Sequence, residues 1–393
     1  MIIFLLSLFA LSWALIIYHH IAYPLIMNQL NKTQTSKQEK EIEEEPNYRS
    51  LCIFVPAYNE ADFIADKLRN IASLDYPSEK LQVIIACDGC KDRTAEVARE
   101  SLQAPELAHL NANILNFREN HGKVALINQV IPNIDADIVA LSDASALISF
   151  DALKLVNHHF DNPKTGFVAA TYKLLSPGSE GEKQYWNYQT KLKQGEASIG
   201  SAIGVHGALY FIRQNLFTPL QADTINDDFI LPMQIIEQGY DGKYDSDLIG
   251  LELEASSLDM DHKRRIRIAA GNLQQVLRLS KLLSPSFGGT AFSFFSGKAL
   301  RGVMPLILLA QFLICGLLAL YLDAFAIFTA LQLLGIGLAR LSTLIPENKT
   351  PTHILYKPFK LGFYVINGYY NGLTGCLRYL AGLEKGHWKS VRD

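Results

Sequence analysis

Cys87-Asp88-Gly89-Cys90-Lys91-Asp92-Arg93-Thr94 is the stretch on which the reading of this chain turns. It follows the apolar run Leu81 to Ala86, rich in β-branched residues and bounded by polar ones, the pattern of a buried strand. After it, Ala95, Val97, Ala98 and Leu102 recur at helical spacing. Asp88 and Asp92 therefore sit at the carboxyl end of a strand, on a strand-to-helix loop. That is where open α/β sheets bind ligands. Gly89 lets backbone approach closely, and Asp92 and Thr94 are suited to capping the helix. Taken alone, the same residues also describe an ordinary capped turn.

The neighbouring segments repeat the arrangement. Leu51 to Val55 reads as a strand ending in Pro56-Ala57-Tyr58-Asn59-Glu60, followed by an amphipathic helix from Glu60 to Leu74 with Phe63, Ile64, Leu68 and Ile71 inward. Ala112 to Phe117 reads as a strand, then His121-Gly122-Lys123 and a helix from Val124 to Ile131. A fourth strand, Ile138 to Leu141, ends in Ser142-Asp143-Ala144-Ser145. The alternation predicts a mostly parallel α/β sheet with helices on both faces. Each strand end carries polar residues, so the four ends define one crevice. It has no GxGxxG and no GxxxxGK[ST], which argues against a dinucleotide fold and a P-loop. Carboxylates and one lysine suit a nucleotide whose ribose and base are held by Asp and whose diphosphate is held by a metal and a cation.

Composition sets the surroundings. The 393 residues carry a formal net charge of -3, which neither requires nor excludes nucleic acid; no nucleic acid partner is expected from the motifs. Residues 1–31 and 302–322 have no Asp, Glu, Lys or Arg, and residues 324–345 have only Arg340. Each run is long enough to cross a bilayer. The start lacks a basic residue and a small-residue cleavage site, so it reads as an uncleaved anchor. The five cysteines are too few and odd in number for a disulfide framework. Cys87 and Cys90 form a lone CxxC with no second pair to complete a zinc site.

The expected organisation is an anchor over 1–27, a charged linker over 28–48 and a catalytic domain over 49–284. An interfacial segment (285–302) and two spans turning at Asp323 (303–345) follow. Residues 346–393 form an interfacial or re-entrant segment, broken by glycines, and a cytoplasmic tail. Basic residues at 298–301 and 340–360 place both ends of the span pair, and with them the catalytic domain, in the cytoplasm of a multi-pass membrane protein. Asn226-Asp227-Asp228 opens a helix that stops at Gly239. One Asp there is a plain cap, but two adjacent ones repel each other, which a functional site can offset. Lys263, Arg264, Arg265 and Arg267 suit either anionic headgroups or a donor diphosphate, with Arg267 read as opening a helix.

In this order the motifs resemble the membrane-bound, processive family 2 glycosyltransferases, the group of cellulose, hyaluronan and poly-N-acetylglucosamine synthases. The matching residues are Pro56 to Glu60, Asp88-Gly89 with Asp92, Gly122-Lys123, Asp143-Ala144-Ser145, Asn226-Asp227-Asp228 and Arg264 to Ile268. The resemblance implies a GT-A fold, a nucleotide-diphospho-sugar donor, with a UDP-sugar expected, and a divalent Mg2+ or Mn2+. It implies that Pro56, Tyr58, Glu60, Asp88, Lys123, Asp143, Arg264 and Arg267 line the donor site. Asp88 would contact base or ribose, Asp143 would hold sugar and metal, and Arg267 would meet diphosphate or acceptor. Asp228 would be the general base, with Asp227 beside it. The acceptor would be a polysaccharide or a lipid-linked saccharide, and membrane lipids would surround the spans. Three or four spans are few for a private channel, so export would call for a homo-oligomer or an export partner.

Three departures stand out. Ser145 replaces the second acid of DxD, Arg264 and Ile268 replace the Gln and Trp of QxxRW, and Cys87 replaces an Asp before Asp88. Loss of the Trp removes the family's aromatic acceptor platform and leaves single-sugar transfer open. A non-catalytic nucleotide-binding scaffold and a nucleotidyltransferase are the alternative functions.

Overall fold

A computed structural model describes residues 1–34, 47–177, 180–254, 258–344 and 357–384. Part of the charged linker, residues 35–46, and the tail from 385 therefore lie outside the described residues. The chain divides into two compact units.

The first unit is Leu25–Met260 with Leu277–Phe295. It holds one sheet of eight strands: β1 Leu51–Ala57, β2 Leu81–Asp88, β3 Asn111–Phe117, β4 Ile138–Ser142, β5 Ala146–Ile148, β6 Thr165–Leu174, β7 Leu209–Arg213 and β8 Asp241–Glu252. Their order is β3-β2-β1-β4-β7-β6-β8-β5. The β3-β2-β1-β4 half is parallel, and β7 is antiparallel to both β4 and β6. So β4 and β6 run the same way, and the start of β7 shares their carboxyl edge.

The strands are apolar on both faces because both faces are covered. Alternate residues of β1 go to opposite cores. Leu51, Ile53 and Val55 join a cluster with Ile64, Leu68, Ala98 and Val156. Cys52 and Phe54 join one with Leu126, Ile127, Phe229 and Met233. Helices Ile64–Ala72, Thr94–Ser101 and Ala152–His159 thus cover one face, and Lys123–Val130 and Asp227–Glu237 the other. This is the doubly covered, mixed but mostly parallel sheet of a GT-A fold.

The second unit is Met1–Pro24, Asp261–Val276 and Ser296–Glu384. Among the described residues, three helices are long and apolar enough to cross a membrane: Ile2–Leu30, Gly289–Leu318 and Asp323–Leu344. The second begins at Gly289, so residues assigned by sequence to an interfacial segment are part of a continuous helical run. The segment read by sequence as interfacial or re-entrant is largely one unbroken helix, Lys357–Leu380, which is not one of these candidate spans. Two of its glycines are positions of close approach. A Cβ at Gly372 would stand 2.8 Å from Pro305, and one at Gly375 would stand 2.4 Å from Ile266 O. Arg265 lies over the Tyr364 ring at 5.2 Å, which accounts for one of the clustered cations by packing.

Candidate active site

The loops after β1 and β2 are laced together. Asn59, at φ 56°, accepts through Oδ1 from the Lys91 amide at 2.8 Å. The Glu60 amide donates to Thr94 Oγ1 at 2.8 Å and the Ala61 amide to Asp92 Oδ2 at 3.1 Å. Asp92 Oδ1 accepts from the Thr94 amide at 3.0 Å and from its hydroxyl. Burial pushes the Asp92 carboxyl up, but these hydrogen bonds outweigh it and hold the pKa below the usual range. Pro56 pairs with Ala86 inside the sheet, and Tyr58 is buried. Both therefore shape the loop from within, while Glu60 is half-buried at its mouth.

Asp88 is fully buried. Its two carboxylate oxygens accept from the backbone amides of His121 at 2.9 Å and Gly122 at 2.7 Å. The side chain expected to touch the base or ribose is thus committed to the loop that carries Lys123. Gly89 makes room for this. Its φ is +64°, and a Cβ would stand 2.4 Å from the Asn120 amide nitrogen.

Lys123 opens the helix Lys123–Val130 and its Nζ donates to Asp143 Oδ1 at 2.8 Å. Asp227 Oδ2 is 3.9 Å away. Burial opposes the ammonium, yet Asp143 and Asp227 more than compensate, and its pKa is raised. Asp143 follows β4, and its amide donates to Ala208 O at 3.2 Å. Asp227 and Asp228 form the first turn of Asp227–Glu237, with Asn226 at the cap position, so neither Asp caps the helix. Burial, then the Asp227 charge, pushes the Asp228 carboxyl up to about 6. One point shows how these groups meet. A methyl on Gly207 would stand 3.6 Å from Asp143 Oδ2, 3.6 Å from Asp228 Oδ2 and 3.7 Å from Lys123 Nζ.

Arg264 and Arg267 are not part of this cluster within the catalytic unit. They lie inside the helix Leu258–Arg278, which starts well before Arg267, on the part assigned to the other unit. Arg264 is exposed and Arg267 half-buried.

Three residues escaped the sequence reading. Lys67 is fully buried, donating to Ser142 Oγ at 2.6 Å and to Ala146 O, so it braces the Asp143 loop from behind. Burial holds its pKa down to about 7. The available signal was its place between Ile64, Leu68 and Ile71 on an apolar helix face. Glu252 ends β8 opposite Ala146, and its carboxylate is hydrogen-bonded by Ser145. A carboxylate thus stands beside the position where the second acid of DxD is missing. Tyr210 is fully buried on β7, and its hydroxyl has no hydrogen-bond partner among the described residues. Burial and the charges of Asp227, Asp228 and Asp143 raise its pKa.

Among the described residues, no three acidic, thiol or imidazole groups surround one point as a closed metal cage. The donor set still fits a hard divalent cation. Lys123 occupies Oδ1 of Asp143, while Oδ2 faces the same point as Asp228 Oδ2. One or two carboxylates, completed by substrate phosphates and water, is the usual holding of Mg2+.

Residues 46–271 match the model of the family described as glycosyltransferase like family 2. The chain belongs to this family of glycosyltransferases. It is 26% identical over 236 residues to a poly-beta-1,6-N-acetyl-D-glucosamine synthase of Staphylococcus aureus (strain MSSA476), covering 58% of this chain and 56% of that protein. A synthase of the same name from Staphylococcus epidermidis is 23% identical over 243 residues, covering 60% and 57%. The match spans little more than half the length of these relatives. Among solved structures, a mannosyltransferase from Pyrobaculum calidifontis in complex with GDP-Man and Mn2+ superimposes with a TM-score of 0.67. At 21% identity it covers 95% of this chain and 99% of its own, a likeness of fold.

Proposed function

We propose that the chain is an inverting glycosyltransferase of the membrane surface, passing a sugar from a nucleotide-diphospho-sugar to a polysaccharide or lipid-linked saccharide. The convergence of Lys123, Asp143 and Asp228 on Gly207 carries this reading. The likeness to poly-N-acetylglucosamine synthases makes UDP-N-acetylglucosamine the first donor to test. Asp228 takes the proton of the attacking hydroxyl, a task suited to a carboxyl whose pKa is raised toward neutrality. Lys123 holds positive charge near the diphosphate as its negative charge grows. Asp143 would hold the divalent cation, which when bound supplies further charge neutralisation at the diphosphate. Asp88 and Lys67 keep the loops of Lys123 and Asp143 in place. Arg264 and Arg267 are proposed to approach the diphosphate or acceptor.

The test is donor consumption by the purified full chain in detergent. UDP-N-acetylglucosamine, UDP-glucose and GDP-mannose are each supplied with Mn2+ or Mg2+ and a saccharide acceptor. Release of nucleoside diphosphate with sugar on the acceptor is the expected result. Nucleotide binding with no turnover of any donor would instead make the protein a nucleotide-binding scaffold. Formation of a sugar nucleotide from a triphosphate would make it a nucleotidyltransferase.

A further inference from the structure

The carboxyl edge of the sheet has a wall that donor chemistry does not use. Tyr172 lies near the end of β6, Trp186 on the helix Glu180–Ile199, and His206 in the loop leading to β7. The rings of Tyr172 and His206 stack with centroids 3.7 Å apart at 21°. The Trp186 ring is 4.4 Å from Tyr172 and 5.3 Å from His206. All three residues are half-buried. The Ala208 amide donates to His206 Nδ1 at 3.2 Å, so the neutral ring carries its proton on Nε2 as a donor.

Position gives this wall its meaning. The residue after His206 is Gly207, where Asp143, Asp228 and Lys123 converge. Lys193 lies two turns from Trp186 on the same helix. It donates to Gly204 O at 2.9 Å, and its charge acts on Asp228. In the strand order, the laced loops after β1 and β2 stand on one side of β4 and β7, and Tyr172 of β6 on the other. In-line displacement puts the attacking hydroxyl opposite the leaving diphosphate. A donor seated on the β1 and β2 side therefore has its attacker on the β6 side, against the rings. A pyranose offers a C–H face to an aromatic ring and a rim of hydroxyls to polar edges such as imidazole N–H.

We propose that Tyr172, Trp186 and His206 form the acceptor subsite and take the C–H face of a neutral pyranose. Trp186 is the main stacking surface, in the place of the QxxRW tryptophan that is Ile268 here. The assignment of the ligand as acceptor rests on the glycosyltransferase reading above.

The experiment measures saccharide binding apart from turnover, using the full chain in detergent. Pentasaccharides of β-1,6-linked N-acetylglucosamine, cellulose type and mannose type are titrated calorimetrically into wild type, Trp186→Phe and Trp186→Ala. At least one should bind wild type. Trp186→Phe should bind it within about threefold of wild type, and Trp186→Ala about tenfold or more weakly. UDP affinity in the presence of Mn2+ should be equal in all three, which shows that each variant is folded. Tryptophan emission should shift on binding in wild type and not in Trp186→Phe. Failure of all three sugars to bind wild type, or undiminished binding by Trp186→Ala, overturns the subsite. Donor consumption is scored separately. Turnover with undiminished acceptor binding by Trp186→Ala sinks the subsite and leaves catalysis standing. Trp186-dependent sugar binding without donor consumption does the reverse.

Discussion

Asp228 is pulled in one direction by two neighbours, the low-polarity interior and the charge of Asp227. Both oppose its ionisation, and the pKa rises to about 6. A base works only when ionised, so kcat/KM should climb as pH rises through about 6 and level off above it. A pH–rate profile that stays flat down to about pH 5 would remove Asp228 from this role. The same shift has a stability consequence. The folded pKa lies above that of an unfolded Asp, about 3.9, so the native state binds the proton more tightly. Stability from this group is therefore greatest at low pH and is lost as pH rises through about 6. Asp228→Asn removes the ionisation and should leave the melting temperature at pH 7 equal or higher. Turnover should nevertheless fall about 10²–10⁴-fold, the usual worth of a positioned base. UDP affinity should hardly change. Asp227→Asn should cost less turnover, since Asp227 faces Lys123 at 3.9 Å. Full activity in Asp228→Asn would end the assignment.

At the scale of elements, the site is a set of strand ends tied together by buried side chains. Asp88 joins the end of β2 to the start of the Lys123 helix through two amide hydrogen bonds. Asp88→Ala leaves one buried and one part-buried donor unsatisfied and should destabilise the fold by roughly 2–4 kcal/mol. Asp88→Asn keeps one acceptor and should cost about half as much. Donor affinity should fall in parallel with the melting temperature across the pair. A large affinity loss at unchanged stability would instead mean that Asp88 touches the nucleotide. Much of this element-level design was legible in the chain. Leu81 to Ala86 and Leu51 to Val55 announce themselves because strands covered on both faces need unbroken apolar runs. Asp143 and Asp228 stood out because strand ends and helix starts concentrate charge. Lys67, Glu252 and Tyr210 did not, because each lies inside an otherwise ordinary amphipathic helix or strand. Only the pairing of β5 with β8 brings Glu252 to Ser145, and that pairing joins residues about a hundred positions apart. The glycines of Lys357–Leu380 carry a related ambiguity. A helix breaker by propensity is also what two closely packed helices require, and sequence spacing does not separate the two uses.

At the scale of the whole molecule, the catalytic unit lies in the chain between the first candidate span, Ile2–Leu30, and the second, Gly289–Leu318. The side it is predicted to occupy is argued from where the cations are. Lys298 and Arg301 lie toward the start of the second span, and Arg340 toward the end of the third, with Lys349, Lys357 and Lys360 after it. Both ends of the pair are basic, and the turn at Asp323 is not. On the positive-inside bias we predict that the base of the pair, and the catalytic unit with it, is cytoplasmic. Met1, one crossing away, is then predicted on the opposite side. Cysteine labelling reads this directly, because the native thiols interfere little. Cys52, Cys87, Cys315 and Cys376 are buried, and Cys90 is half-buried, so a Cys90→Ser background suffices. Lys164 is exposed in that unit, and Ile3 is 81% exposed near the amino terminus. In intact cells, an impermeant maleimide should label Ile3→Cys and spare Lys164→Cys, and permeabilisation should expose Lys164→Cys as well. Labelling of Lys164→Cys from outside would reverse the topology. It would also place the donor site away from the cytoplasm, where nucleotide sugars are made, and the proposed reaction would then lack its substrate.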